Sequence, residues 1–225
     1  MSRKLILMVF MFLLCCSPAL LAQENKVEVT PFLGYTFSEG VGTTDLDIGG
    51  SIYDRIDPTS GFSYGVSVGF FATENVELEF TWAQQDSTIQ GKGRGVSSAE
   101  FADLTINNYH FNVVYNMGDE EEVLRPFIFG GLGATNYSPG NLLLDPPGGS
   151  TNQIDGDTRF SSNWGGGVKV FPGEHIGFRI AGTWTPTYIK SDPGGYWCGW
   201  YGCWLVGDAK YSHQFEFSGG VVVRF

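Results

Sequence analysis

Residues 209–225 alternate without a break over seventeen positions, and that length restricts the folds open to the chain. Ala209, Tyr211, His213, Phe215, Phe217, Gly219, Val221, Val223 and Phe225 share one face. Lys210, Ser212, Gln214, Glu216, Ser218, Gly220, Val222 and Arg224 share the other. A period of two is the signal of a β-strand. Strands of globular domains usually run about five or six residues. A tilted strand crossing a bilayer needs about nine to eleven or more. The two faces also differ in kind, one apolar and aromatic, the other charged or small and polar, as expected of a wall between hydrocarbon and a polar interior.

The same division recurs upstream. Val27, Val29, Pro31, Leu33, Tyr35 and Phe37 oppose Glu28, Thr30, Gly34 and Thr36. Phe62 to Phe70 and Val76 to Ala83 repeat the pattern, as do Asn108 to Asn116, Asn163 to Val170 and Ile176 to Trp184. Arg125 to Tyr137 is β-like but apolar or glycine on both faces, so its sides stay unassigned. These segments make eight strands. Ala72–Asn75, Gly118–Val123 and Pro172–Glu174 read as tight turns. Longer polar stretches lie between them at Glu39–Thr59, Ser87–Ala102, Ser138–Asp157 and Lys190–Asp208. An even strand number with three short turns on one side and four long loops on the other is the outer-membrane arrangement. In lipid an open sheet edge has no partner for its backbone donors, so closure is the β solution. The expected fold is all-β, a closed antiparallel eight-stranded up-and-down transmembrane β-barrel.

The start of the chain reads as a targeting segment. Arg3 and Lys4 precede the apolar run Leu5–Leu14, and Ala22 offers a small residue before a cut at Gln23. Ten residues of helix span only about half of a ~30 Å hydrocarbon core, so a permanent anchor is not expected. Leu13 and Leu14 argue against acylation at Cys15 or Cys16, where small residues are wanted. Residues 1–22 are thus expected to be a cleaved signal peptide and residues 23–225 the barrel domain. Removing Arg3 and Lys4 takes the formal charge from −11 to −13. So acidic a chain has no electrostatic basis for nucleic-acid binding.

The closing residues Gly219 to Phe225, the segment Pro126 to Gly133 and the segment Gly165 to Pro172 resemble the small eight-stranded outer-membrane barrels, the OmpA/OmpX-like group. The resemblance covers the whole mature chain and implies a bacterial outer-membrane location with lipid around the wall. It also implies that the terminal Phe225 is the signal read by the barrel-assembly machinery. Unlike OmpA itself, the chain is expected to carry no cell-wall-binding domain after the barrel. A monomer is expected.

The inward face carries Glu28, Glu77, Glu79 and Glu216 against Arg159, Lys169, Arg179, Lys210 and Arg224. An eight-stranded barrel is only wide enough for side chains to fill it. A network of paired charges holding the barrel rigid is therefore expected, with a narrow conduit for ions or small solutes as the alternative.

With Cys15 and Cys16 removed, Cys198 and Cys203 remain, with four residues between them in a long loop, and a disulfide across a hairpin tip is expected in an oxidising compartment. Two cysteines with no adjoining histidine make half a zinc site, so no metal and no cofactor are expected. Tyr196, Trp197, Trp200, Tyr201 and Trp204 crowd the same loop and could anchor a surface ligand. Resting on the outer leaflet or on neighbouring loops is their plainer role. A lipid-modifying enzyme is the reading from another class. It would need a nucleophile, a base and an orienting group together. Ser212 and His213 are sequential and face opposite ways on a strand, His110 looks inward, and His175 sits at a turn, so no enzyme is expected. The role expected is structural or surface contact through the long loops.

Overall fold

The computed structural model describes residues 27–39, 41–48, 51–93, 96–119, 122–142, 156–188, 196–199, 202–205 and 211–225. The expected leader at 1–22, together with Lys210, Trp200 and Tyr201, lies outside them. Twelve strands follow in order: β1 (Val27–Glu39), β2 (Val41–Ile48), β3 (Ser51–Pro58), β4 (Gly61–Phe71), β5 (Val76–Gly93), β6 (Val96–Asn116), β7 (Leu124–Leu142), β8 (Asp157–Val170), β9 (Ile176–Tyr188), β10 (Tyr196–Gly199), β11 (Gly202–Leu205) and β12 (Tyr211–Arg224).

Eight of these close on themselves. Around the ring β1 pairs β4, then β5, β6, β7, β8, β9 and β12 follow, and β12 returns to β1. Each pairing is antiparallel. The last strand meets the first from Glu28↔Arg224 to Glu39↔His213, and Phe225 N donates to Val27 O at 2.9 Å beyond that ladder. The eight expected strands all appear. Their outward side chains include Leu33, Phe62, Phe111, Ile128, Ile180 and Phe217, all exposed. Exposure of that kind needs hydrocarbon rather than water around it.

The stretch expected to be unassignable has a definite orientation. On β7, Arg125, Phe127, Phe129, Thr135 and Tyr137 point inward and are buried, whereas Ile128 and Leu132 point out. Three aromatic rings inside the barrel are what blurred the sequence pattern.

Two of the expected polar loops are strand. β5 and β6 run 18 and 21 residues and stay paired as far as Gly93↔Val96, so Ser87–Ala102 is not a loop. Twenty-one residues at ~3.3 Å per residue is about twice what a ~25 Å apolar band needs from tilted strands. Beyond the band the polarity of the wall reverses. Gln84, Asp86, Asp103 and Asn107 face out, while Ile89, Leu104 and Ile106 face in, each 1% exposed or less. Water outside and an apolar filling inside give a polar-looking sequence that is nonetheless sheet. Glu39–Thr59 likewise holds the β2–β3 hairpin, attached to β5 through Arg55↔Lys92 to Pro58↔Ile89.

Candidate functional site

The barrel interior is layered. At the short-turn end, Glu28 and Glu77 are the second residues of β1 and β5, Lys169 is the second-last of β8 and Arg224 the last of β12, so alternation brings four charges to one level. Lys169 Nζ donates to Glu28 Oε2 at 2.5 Å and to Glu77 Oε2 at 2.7 Å. Arg224 Nη2 donates to Glu28 Oε1 at 2.9 Å. One layer up, both Arg179 terminal nitrogens donate to Glu79, Nη2 to Oε1 at 3.3 Å. Neutral amides complete the carboxylates: Asn116 Nδ2 donates to Glu77 and Asn112 Nδ2 to Glu79. Glu28, Glu77 and Lys169 are each 1% exposed or less. An ionised carboxylate this deep is tolerated only when paired and hydrogen-bonded. Gly69 makes the space, since a Cβ there would collide with the Glu77 carboxyl.

Rings seal the remaining volume. Arg179 Cζ lies 4.5 Å from the Phe127 centroid, Lys169 Nζ 5.5 Å from that of Phe71, and Arg224 Cζ 3.9 Å from that of Phe171. Cations over ring faces gain further when water is excluded. This explains why aromatic side chains sit inside the charged layer.

Not every expected member joins. Arg159 pairs with Asp157 on its own strand at 2.6 Å, part-exposed and apart from the buried group. Glu216 meets Thr36 Oγ1 at 3.3 Å, and among the described residues no ion pair reaches it. Arg125 belongs to the buried set although sequence reasoning missed it. It is fully buried, with Nη2 donating to Glu74 O at 3.0 Å in the β4–β5 turn. Its odd-number parity with Thr135 was the available signal.

Above the charges the lining turns neutral. His110 Nε2 and Ser161 Oγ lie 2.9 Å apart, and Thr135 Oγ1 donates to Asn108 Oδ1 at 2.7 Å and lies 3.0 Å from Ser161 Oγ. A cavity of about 50 Å³ lies at this level, with Glu79 and Arg179 along one side and Glu216, Gln214 and Thr183 along another. A water needs roughly 10–15 Å³ on this scale, so the space suits a few waters or one small ion.

Other expected features sit on the wall and loops. Ser212 turns inward and donates to Glu39 O, while His213 faces out and accepts from Trp184 Nε1 at 3.3 Å. The two do not converge. At the loop end of β9 and β12, Trp184, Tyr188, Tyr211 and His213 form a run of ring contacts. Amphipathic rings suit the headgroup level. β10 pairs β11 so that Cys198 stands opposite Cys203 and Trp197 opposite Trp204. Phe225 is 67% exposed at the short-turn end.

Comparison with known proteins agrees with this geometry. The chain matches the model of the outer membrane protein beta-barrel domain over residues 7–225. No curated protein matches it. Among solved structures it is similar to the outer membrane protein OprG from Pseudomonas aeruginosa, at 13% identity and a TM-score of 0.58, covering 90% of this chain and 97% of that one. Neisserial surface protein A (NspA) is similar at 14% identity and a TM-score of 0.54, covering 88% and 97%. The outer membrane protein AlkL, determined in lipid bilayers, is similar at 15% identity and a TM-score of 0.54, covering 92% and 94%. At such identities the likeness is one of fold. The chain belongs to the outer membrane protein beta-barrel domain family and resides in the bacterial outer membrane.

Proposed function

We propose that this barrel is a filled, rigid platform whose work is surface contact through its extracellular loops. The observation carrying this reading is the short-turn half of the lumen. There Glu28, Glu77, Lys169 and Arg125 are almost wholly excluded from solvent, and Lys169 Nζ lies 5.7 Å from the centroid of the buried Phe127 ring. A solute pathway would have to cross this layer. On the opposite side β5–β7 and the β2–β3 hairpin extend well past the apolar band.

Contact is assigned to the Tyr196–Leu205 hairpin. A Cys198–Cys203 disulfide across its facing strands holds it, and Tyr196, Trp197, Trp200, Tyr201 and Trp204 act as aromatic anchors. Large rigid rings lose little entropy on binding, which suits them to that task. In this reading a cleaved leader at 1–22 exports the chain, and the exposed Phe225 presents the assembly signal.

The test is whole-cell binding to a surface-immobilised glycan and protein array. Cells displaying the native barrel are compared with cells in which residues 196–205 are replaced by glycine and serine. Signals that vanish in the replacement at equal surface expression support the assignment. Equal signals remove the hairpin from it.

A narrow channel is the second reading, and the cavity beside Glu216 is what favours it. Its lining reaches Glu79, Arg179 and Phe129, the upper edge of the packed charged layer.

A further inference from the structure

Glu216 differs from the other three interior carboxylates in its surroundings. Glu28 and Glu77 share Lys169, and Glu79 holds Arg179. Glu216 instead sits in a row of hydroxyls. Register places Thr36 of β1 on one side of it and Thr183 of β9 on the other. Ser218 follows on its own strand, pointing the same way. Ser63 Oγ approaches through the notch at Gly34, where a Cβ would lie 2.7 Å from that oxygen and 3.2 Å from the Glu216 carboxyl carbon. The notch, the row and the cavity converge on one carboxylate.

The charged groups facing the same cavity do not serve it. Arg179 is committed to Glu79, and His110 to Ser161. An ionised carboxylate in such a place needs a counter-charge. Hydroxyl oxygens have lone pairs to offer a hard cation, and oxygen-only sets select hard cations. A calcium ion usually takes six to eight oxygens with several carboxylates, whereas one unpaired carboxylate balances a single positive charge.

We propose that the lumen binds one monovalent cation, ligated by the Glu216 carboxylate and the hydroxyls of Thr36, Ser63, Thr183 and Ser218. The cation supplies the counter-charge that no basic side chain among the described residues brings to Glu216. It also ties β12 to β1, β4 and β9 beside the seam where the first and last strands meet.

The test uses folded protein in detergent micelles, its folding verified by heat-dependent gel mobility. Sodium chloride is titrated against choline chloride at constant ionic strength, and binding is read as broadening of the sodium-23 resonance and as a rise in thermal midpoint. The native barrel should show saturable broadening and a sodium-dependent rise. Glu216→Gln, which keeps the shape and removes the charge, should abolish both. Thr183→Val should weaken binding about fivefold, as loss of one ligand of ~1 kcal/mol implies. Broadening that survives Glu216→Gln would place the ion elsewhere. An infrared band of a protonated carboxylic acid at neutral pH that disappears in Glu216→Gln, with no response to sodium, would show a neutral Glu216. Either result overturns the proposal.

Discussion

Lys169 Nζ lies 2.5 Å from Glu28 Oε2, joining β8 to β1 across the inside of the barrel although the two residues are 141 positions apart in the chain. The same nitrogen reaches Glu77 on β5 at 2.7 Å, so one ammonium binds three separate parts of the wall. Removing it leaves the buried Glu77 without a cation and Glu28 with Arg224 alone. Lys169→Met is expected to lower unfolding free energy by about 3–5 kcal/mol, measured by urea unfolding of the folded barrel. Adding Glu77→Gln to that variant should restore part of the loss, because the uncompensated charge is then gone. A loss below about 1 kcal/mol would mean the contact contributes little.

Phe127 closes the space between Arg179 and Lys169 and is 1% exposed. Phe127→Ala is expected to cost about 3–5 kcal/mol through lost burial and the cavity left behind. Phe127→Leu should cost clearly less, since it keeps most of the volume. Equal effects would argue that ring-face contacts, not filling, dominate.

The extension beyond the apolar band makes a prediction about sidedness. Ile106→Ala should destabilise by about 2–5 kcal/mol, as for a buried core position. The adjacent Thr105→Ala, half-buried on the opposite face, should stay within about 0.5 kcal/mol. Urea unfolding of both variants checks this. Similar small effects would mean the segment behaves as a loop.

For the Tyr196–Leu205 hairpin, the facing positions of Cys198 and Cys203 lead to an expected disulfide. Protein from the outer membrane should take up no thiol-alkylating reagent until reduced, and two equivalents afterwards, as read by mass spectrometry. Closing so short a loop is expected to stabilise the hairpin by about 2 kcal/mol on the chain-entropy estimate. Alkylation without reduction would contradict it.

The barrel itself was legible because lipid outside and polar groups inside give each crossing strand a sharp contrast between faces. Val76 to Ala83 shows this, with Leu78 exposed and Glu77 and Glu79 buried. Where that contrast reverses, at Gln84 to Ile89, a sheet in water reads as a polar loop. Where both faces are apolar, as at Phe127 and Ile128, only the polar Arg125 and Thr135 flanking that stretch mark the inner side. The charges of the lumen were legible as a set but not as pairs. Glu79 and Glu216 are the same residue type on the same inner face, yet Glu79 meets Arg179 and Glu216 meets hydroxyls. Which carboxylate finds a cation depends on distances across the barrel, and sequence spacing carries no record of them. Arg159 shows the converse, since a neighbour two residues away on its own strand takes it instead.

Single-channel recording tests the filled lumen most directly. The folded barrel, shown by gel mobility to be closed, is inserted into a planar bilayer under an applied potential. A quiet trace is predicted, because the layer of Glu28, Glu77, Lys169 and Phe127 leaves no aqueous path. Discrete current steps whose size changes in Glu77→Gln would show that ions pass through that layer, and would contradict the account.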